Sequence, residues 1–151
     1  MGEQRRRREV LVALASGLFI SGCGASPSSS MNSNPSGSGR SIPQPQAGQG
    51  LIVFYRPPSA LGSALRLPLT MNGSSVGDLS NGSVITKNVS PGQYTIVATA
   101  PSVSGTSTVN TNVSAGQTLF IKGDTLWGWP AGRASVAIVN ETQAKSEIAT
   151  I

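Results

Sequence analysis

The 151 residues carry eleven basic and six acidic side chains, seven aromatics, one cysteine and no histidine. Without histidine there are no Ser-His or Cys-His nucleophile pairs, no histidine metal sites and no histidine acid–base chemistry. Eighteen glycines and ten prolines in so charge-poor a chain argue against coiled coils and long amphipathic helices, and for short strands joined by turns.

The formal charge of +5 is concentrated at the start of the chain, where Arg5, Arg6, Arg7 and Arg8 stand together. Beyond residue 22, seven basic residues (Arg40, Arg56, Arg66, Lys87, Lys122, Arg133, Lys145) face four acidic ones (Asp78, Asp124, Glu141, Glu147). They are scattered singly, with no basic stripe interleaved with aromatics, so no nucleic-acid partner is expected.

Residues 1–9 form a basic segment, and residues 10–20 an apolar run of eleven. Spanning ~30 Å of hydrocarbon takes about 20 apolar residues, so this run is too short. Ser21 and Gly22 follow, then the chain's only cysteine, Cys23. A basic, then apolar, then small-residue order is that of a secretory signal, which predicts removal of residues 1–22 between Gly22 and Cys23. A single cysteine cannot form an intramolecular disulfide, and an exported chain seldom keeps one unpaired. Ile20-Ser21-Gly22-Cys23 resembles the lipobox of bacterial lipoproteins. That resemblance implies diacylglycerol on the Cys23 thiol, acylation of the new amino group and a membrane partner held through the acyl chains. Gly24 in place of Asp implies, by likeness to Gram-negative lipoproteins, the outer membrane, and the periplasmic face is the side expected there. Arg7 to Leu11 looks a little like a twin-arginine export motif, but a plain basic segment is the reading preferred.

Residues 23–50 then comprise the lipidated Cys23 and a linker. Residues 24–50 hold eight Ser and four Pro, with Arg40 as the one charge, and Met31 and Ile42 as the sizeable apolar side chains. Such a stretch cannot bury enough surface to offset ordering entropy and is expected to be a disordered tether.

Residues 51–151 are expected to form the folded domain. Residues 51–56 are a continuous run suited to a strand buried on both faces, closed by Pro57-Pro58. Leu65, Leu67, Leu69 and Met71 alternate with polar residues, and Pro68 places that strand at an edge or a bulge. Asn72-Gly73 turns, and Asn81-Gly82 is the strongest hairpin signal. Tyr94, Ile96 and Ala98 share one face of residues 93–100, and Val109, Thr111 and Val113 one face of 107–113. Residues 117–122 make a further strand, and a last one at 133–140 turns Ala134, Val136 and Ile138 one way. Only residues 141–148 read as helical. The chain is therefore expected to be all-β: a single antiparallel β-sandwich of seven to eight short strands, immunoglobulin-like or prealbumin-like.

Several local patterns recur together: Tyr55-Arg56-Pro57, Asn72-Gly73-x-x-Val76-Gly77-x-Leu79, Asn81-Gly82-Ser83, Val89-x-Pro91-Gly92-x-Tyr94 and Ala115-Gly116-Gln117-Thr118. Together, over residues 51 to 122, they resemble a family of small bacterial lipoproteins sharing an uncharacterised domain of unknown function. The resemblance implies a fold and brings no catalytic residues with it.

Candidate chemistry is sparse. Arg56 either binds an anion on an exposed face or ends its strand with the charge in solvent. Of the four carboxylates, only Glu141 and Glu147 stand near one another, six apart, whereas a carboxylate hydrolase needs two at a defined separation. G-x-S-x-G, S-x-x-K, metal-ligand clusters and phosphate loops are absent, so no catalytic residue, metal or cofactor is expected. Trp127 and Trp129, with Arg133 behind them, form the best candidate patch: exposed, the indoles would be a platform for a sugar face or a protein; folded down, they would plug one end of the sandwich, the arrangement expected here because few other aromatics supply a core. The sequence is thus read as a lipid-anchored, non-enzymatic interaction or scaffolding module for an envelope partner. A peptidoglycan- or glycan-binding module using Trp127, Trp129 and Arg133 is the alternative, and a hydrolase the third.

Overall fold

The computed structural model describes residues 40–100, 105–126 and 133–151. Gly22, Cys23, Trp127 and Trp129 lie outside the described residues. Strand β1 (Gly50–Arg56) is buried from end to end, and its neighbours explain why. It lies between β4 (Ser83–Val89) and β7 (Thr118–Leu126) in a sheet completed by β8 (Arg133–Val139), in the order β4-β1-β7-β8. A second sheet, β3-β2-β5-β6, is built from β2 (Leu67–Met71), β3 (Ser74–Leu79), β5 (Gly92–Thr99) and β6 (Thr106–Val113). Ile52 and Phe54 point into the core between the sheets, joining Leu67, Leu69, Leu79, Ile96, Val113 and Ile121. Leu51, Val53 and Tyr55 point the other way, and helix α1 (Glu141–Ile148) covers them with Ala144 and Ile148. Each fully buried Leu, Ile or Phe contributes about 1.5–3 kcal/mol of transfer free energy.

The chain is the all-β sandwich that the strand pattern predicts, with one pairing of another kind: β1 and β7 run parallel, Leu51 beside Thr118 through Tyr55 beside Lys122. The intervening chain leaves the sheet, builds the second one and contributes β4 before β7 returns, the long excursion a parallel pair needs. β1, β3, β5 and β7 all ascend from one end, the base, and the strands between them descend. The segment 57–66, the turn 80–82 and the residues flanking 101–104 and 127–132 therefore gather at the opposite end, the apex.

The turns divide differently from expectation. Asn72-Gly73 is the tight hairpin, closing β2 onto β3, with both residues at positive φ (49° and 79°) as a type I′ turn requires. Asn81-Gly82 joins β3 to β4 and so carries the chain between sheets; Asn81 keeps a negative φ and spends its side chain on the Ser59 amide, Ser59 N–H to Asn81 Oδ1 at 2.9 Å. Pro68 is not on an edge strand, because β2 lies between β3 and β5. Its missing donor is tolerated because β5 pairing begins one residue later, at Leu69, and the β3 register slips between Leu69 and Thr70. Ile138 does not follow Ala134 and Val136 into the core; it is 46 % exposed near the base end of β8. Residues 40–50, expected in the tether, lie on the domain: Ile42 packs into the cluster beneath α1, Gln46 N–H donates to Asn88 Oδ1, and Gly116 N–H donates to the Gln49 carbonyl.

Helix α1 forms where predicted. Asn140, extended at φ −71°, ψ 156°, caps it by accepting from Gln143 N–H at 2.9 Å, and Glu141 lies in the first turn. Eight residues cannot hold a helix in isolation, so its stability comes from burying Ala144 and Ile148.

Candidate functional site

The apex is organised by a residue that the sequence places wrongly. Arg56 is neither on an exposed face nor at a solvated strand end: it is 0 % exposed. β1 carries on through Arg56 before Pro57-Pro58 can break it, and the guanidinium passes between β7 and the segment 57–66. One terminal nitrogen donates to Leu65 O at 2.6 Å, and the other to Gly62 O at 2.6 Å and Thr125 Oγ1 at 2.7 Å. Nε is buried without a partner. Burial works against the guanidinium's charge and lowers its pKa, while the Asp124 carboxylate opposes that shift. Arginine stays charged under any such pressure, so the cation is held by carbonyls rather than by a bonded carboxylate. Asp124 itself accepts from Thr125 N–H at 2.7 Å.

Gly62 is required in this clamp twice over. Its φ is +64°, and a Cβ there would meet Thr125 Oγ1 at 2.5 Å. Segment 57–66 thus lies against the end of β7 with two leucines outside the seam, Leu61 at 39 % and Leu126 at 54 % exposure. Arg66 and Arg133 are exposed at the same end. Arg133 pairs in register with Leu126, so it flanks the segment that carries Trp127 and Trp129. Two exposed leucines and two exposed arginines thus share the apex.

On the opposite face of the first sheet, under α1, a second polar group is assembled. Tyr55 O–H donates to Glu147 Oε2 at 2.7 Å, and Lys122 Nζ and Gln143 Nε2 each donate to Glu147 Oε1 at 3.1 Å. Desolvation pushes the Glu147 pKa up, but the bonds from Tyr55, Gln143 and Lys122 and the Lys122 charge outweigh it, and the net shift is downward. Burial, the bond to Glu147 and the Glu147 charge raise the Tyr55 pKa. Glu141 is occupied by Lys145 at 2.6 Å. Each of the two glutamates is thus engaged with its own cation. A groove of about 520 Å³ runs between residues 40–44 and α1, floored by Phe120 and Ile148 and flanked by Arg40, Glu141 and Lys145. Among the described residues no group of three or more His, Cys, Asp or Glu side chains could hold a metal ion.

Of the residues singled out in the sequence, Arg133 is brought to the apex, while Trp127, Trp129, Gly22 and Cys23 lie outside the described residues. Sequence reasoning missed Gly62 and Thr125 and weighed Glu147 only as a hydrolase carboxylate; the roles of Thr125 and Glu147 depend on contacts 69 and 92 residues away along the chain. One signal was present for Arg56: a strand buried on both faces buries whatever residue continues it.

No curated protein and no solved structure matches the chain. A family model described as Protein of unknown function (DUF2846) matches residues 46–136, more than half of the chain, from the segment before β1 into β8. With that span covering β1 to β7, the start of β8 and the Arg56 clamp at the apex, the chain belongs to this family of unknown function, DUF2846.

Proposed function

We propose that the chain is a lipid-anchored envelope protein whose sandwich is a non-catalytic interaction module, bound to its partner through the apex. The anchor rests on the sequence: the basic segment, the short apolar run and Ile20-Ser21-Gly22-Cys23, with Gly24 favouring the outer membrane, where we take the periplasmic face. Two acyl signals are enough for stable attachment where one would be marginal. The module reading is carried by one observation. Arg56, fully buried, fixes segment 57–66 to the end of β7 and leaves Leu61 and Leu126 outside the seam, beside the exposed Arg66 and Arg133. An apolar contact bordered by cations suits a protein partner with an apolar patch and an acidic rim. A surface rigid before binding also loses less conformational entropy on association. The pairing of Glu141 with Lys145 and of Glu147 with Lys122 speaks against the hydrolase reading.

The test is site-specific photocrosslinking in intact envelopes. A crosslinker at position 126 is expected to give a discrete adduct, and one at Thr86, exposed on β4, none. Adducts of equal yield from both positions would reject the apex as the contact surface. Saturable binding of peptidoglycan fragments, abolished by the Trp127→Ala, Trp129→Ala double change, would instead favour a glycan partner.

A further inference from the structure

Each sheet has two edge strands, and exposed edges invite pairing with other chains unless something blocks it. Three of the four edges here carry such a device. β3 pairs with β2 through a register break and exposes Asp78. β4 exposes Lys87. On β8, the Val136 N–H is taken by Ser107 Oγ at 3.0 Å. Among the described residues β6, Thr106–Val113, carries none on its outward side: it contains no charge and no proline, it pairs with β5 over all eight residues without a register break, and it meets β8 through Ser107, whose side chain lies on the face opposite Thr106 and Thr108.

Its free edge can be read residue by residue. Asn72 N–H donates to Thr95 O and Thr95 N–H donates to Asn72 Oδ1, both at 2.8 Å, so the Thr95 backbone faces β2. Asn110, directly opposite Thr95, must then turn its own N–H and C=O away from β5. The alternation gives the same orientation to Thr106, Thr108 and Asn112. These four residues also point their side chains to solvent. Among the described residues none bonds these outward groups, so the edge presents a backbone ladder beneath a row of Thr, Thr, Asn and Asn.

We propose that this edge is a self-association surface, on which β6 of one copy pairs antiparallel with β6 of a second about a two-fold axis at Val109. In that register Thr108 stands opposite the partner's Asn110, and Thr106 opposite the partner's Asn112, so all four outward-directed residues are used. The side-chain pairing is one the sheet already makes: Thr95 Oγ1 donates to Asn110 Oδ1 at 2.8 Å across β5 and β6. Self-pairing opposes no like charges, and it joins the two four-stranded sheets into one of eight strands. A single edge of this length makes a small interface, under about 1,200 Å², so association rises with concentration. The proposal does not depend on the lipid anchor or on the partner at the apex.

The test uses the full-length chain in a Cys23→Ser background, where introduced thiols are the only ones. A chain with Thr108→Cys and Asn110→Cys is expected to give a disulfide-linked dimer on a non-reducing gel, at least tenfold more than one with Thr86→Cys and Asn88→Cys on β4. Equal yields from the two pairs, or no dimer from β6, overturn the proposal. The same background without introduced thiols supplies a second measurement, its mass by light scattering across a concentration series. Doubling of the mass is expected, and Asn110→Pro should abolish it while leaving the circular dichroism unchanged, because the lost N–H points out of the edge rather than toward β5. A mass that stays at one chain up to ~1 mM overturns the proposal as well.

Discussion

A guanidinium shut off from solvent has to find its acceptors inside the fold, and Arg56 finds them on two separate segments, at Gly62 and Leu65 and at Thr125. Truncating it leaves two carbonyls and a hydroxyl without their donor and opens a void at the apex. Arg56→Ala is therefore expected to lower the unfolding free energy by roughly 3–5 kcal/mol. Arg56→Lys, which keeps the charge but not the fork, should recover only part of that loss. Both are read from the urea midpoint at unchanged slope. The Tyr55–Glu147–Lys122 group predicts a pH dependence of definite sign. The folded pKa of Glu147 lies below its unfolded value, so its contribution is complete above about pH 4.3 and is lost as pH falls through the folded value. The Tyr55 pKa is raised, so its contribution is complete below about pH 10 and is lost at higher pH. Denaturation midpoints followed from pH 7 to pH 3 should fall less steeply in Glu147→Gln than in the native chain; parallel curves would remove Glu147 from the account.

At the scale of elements, the features that sequence makes legible are those with a local cause. α1 is visible because Asn140 caps it and because Ala144 and Ile148 are four apart. The alternation of β5 and β6 sorts their residues correctly between core and solvent. The parallel pairing of β1 with β7 is not local. A period of two does not distinguish parallel from antiparallel, and the one hint was the unbroken apolar run of β1, which marks a central strand covered on both sides. The two Asn-Gly turns look alike in sequence, yet the outcome depends on whether the next strand stays in the same sheet. Asn72-Gly73 stays, and Asn81-Gly82 crosses. Gly73→Ala, at φ 79°, should therefore cost about 1 kcal/mol or more through the I′ turn alone. Asn140→Ala should likewise cost about 1 kcal/mol by removing the helix cap. Thermal melts read both changes, and a loss of less than ~0.3 kcal/mol in either would contradict the assigned role.

For the molecule as a whole, the boundary of the folded unit lies earlier than composition suggests. Residues 40–49 have too few apolar side chains to order themselves, but Ile42 finds the cluster under α1 and Gln49 O accepts from Gly116 N–H. A chain beginning at residue 40 is expected to unfold at a higher denaturant concentration than one beginning at residue 51, with the same β-dominated circular dichroism; equal midpoints would return residues 40–50 to the tether. The proposed function joins this folded unit to an anchor at Cys23, and the mass of the purified native protein tests that link most directly. Cleavage between Gly22 and Cys23 with acyl chains on the new N-terminal cysteine predicts a mass equal to residues 23–151 plus diacylglycerol and one further acyl group. A chain that begins elsewhere, or that begins at Cys23 with an unmodified thiol, would contradict the account.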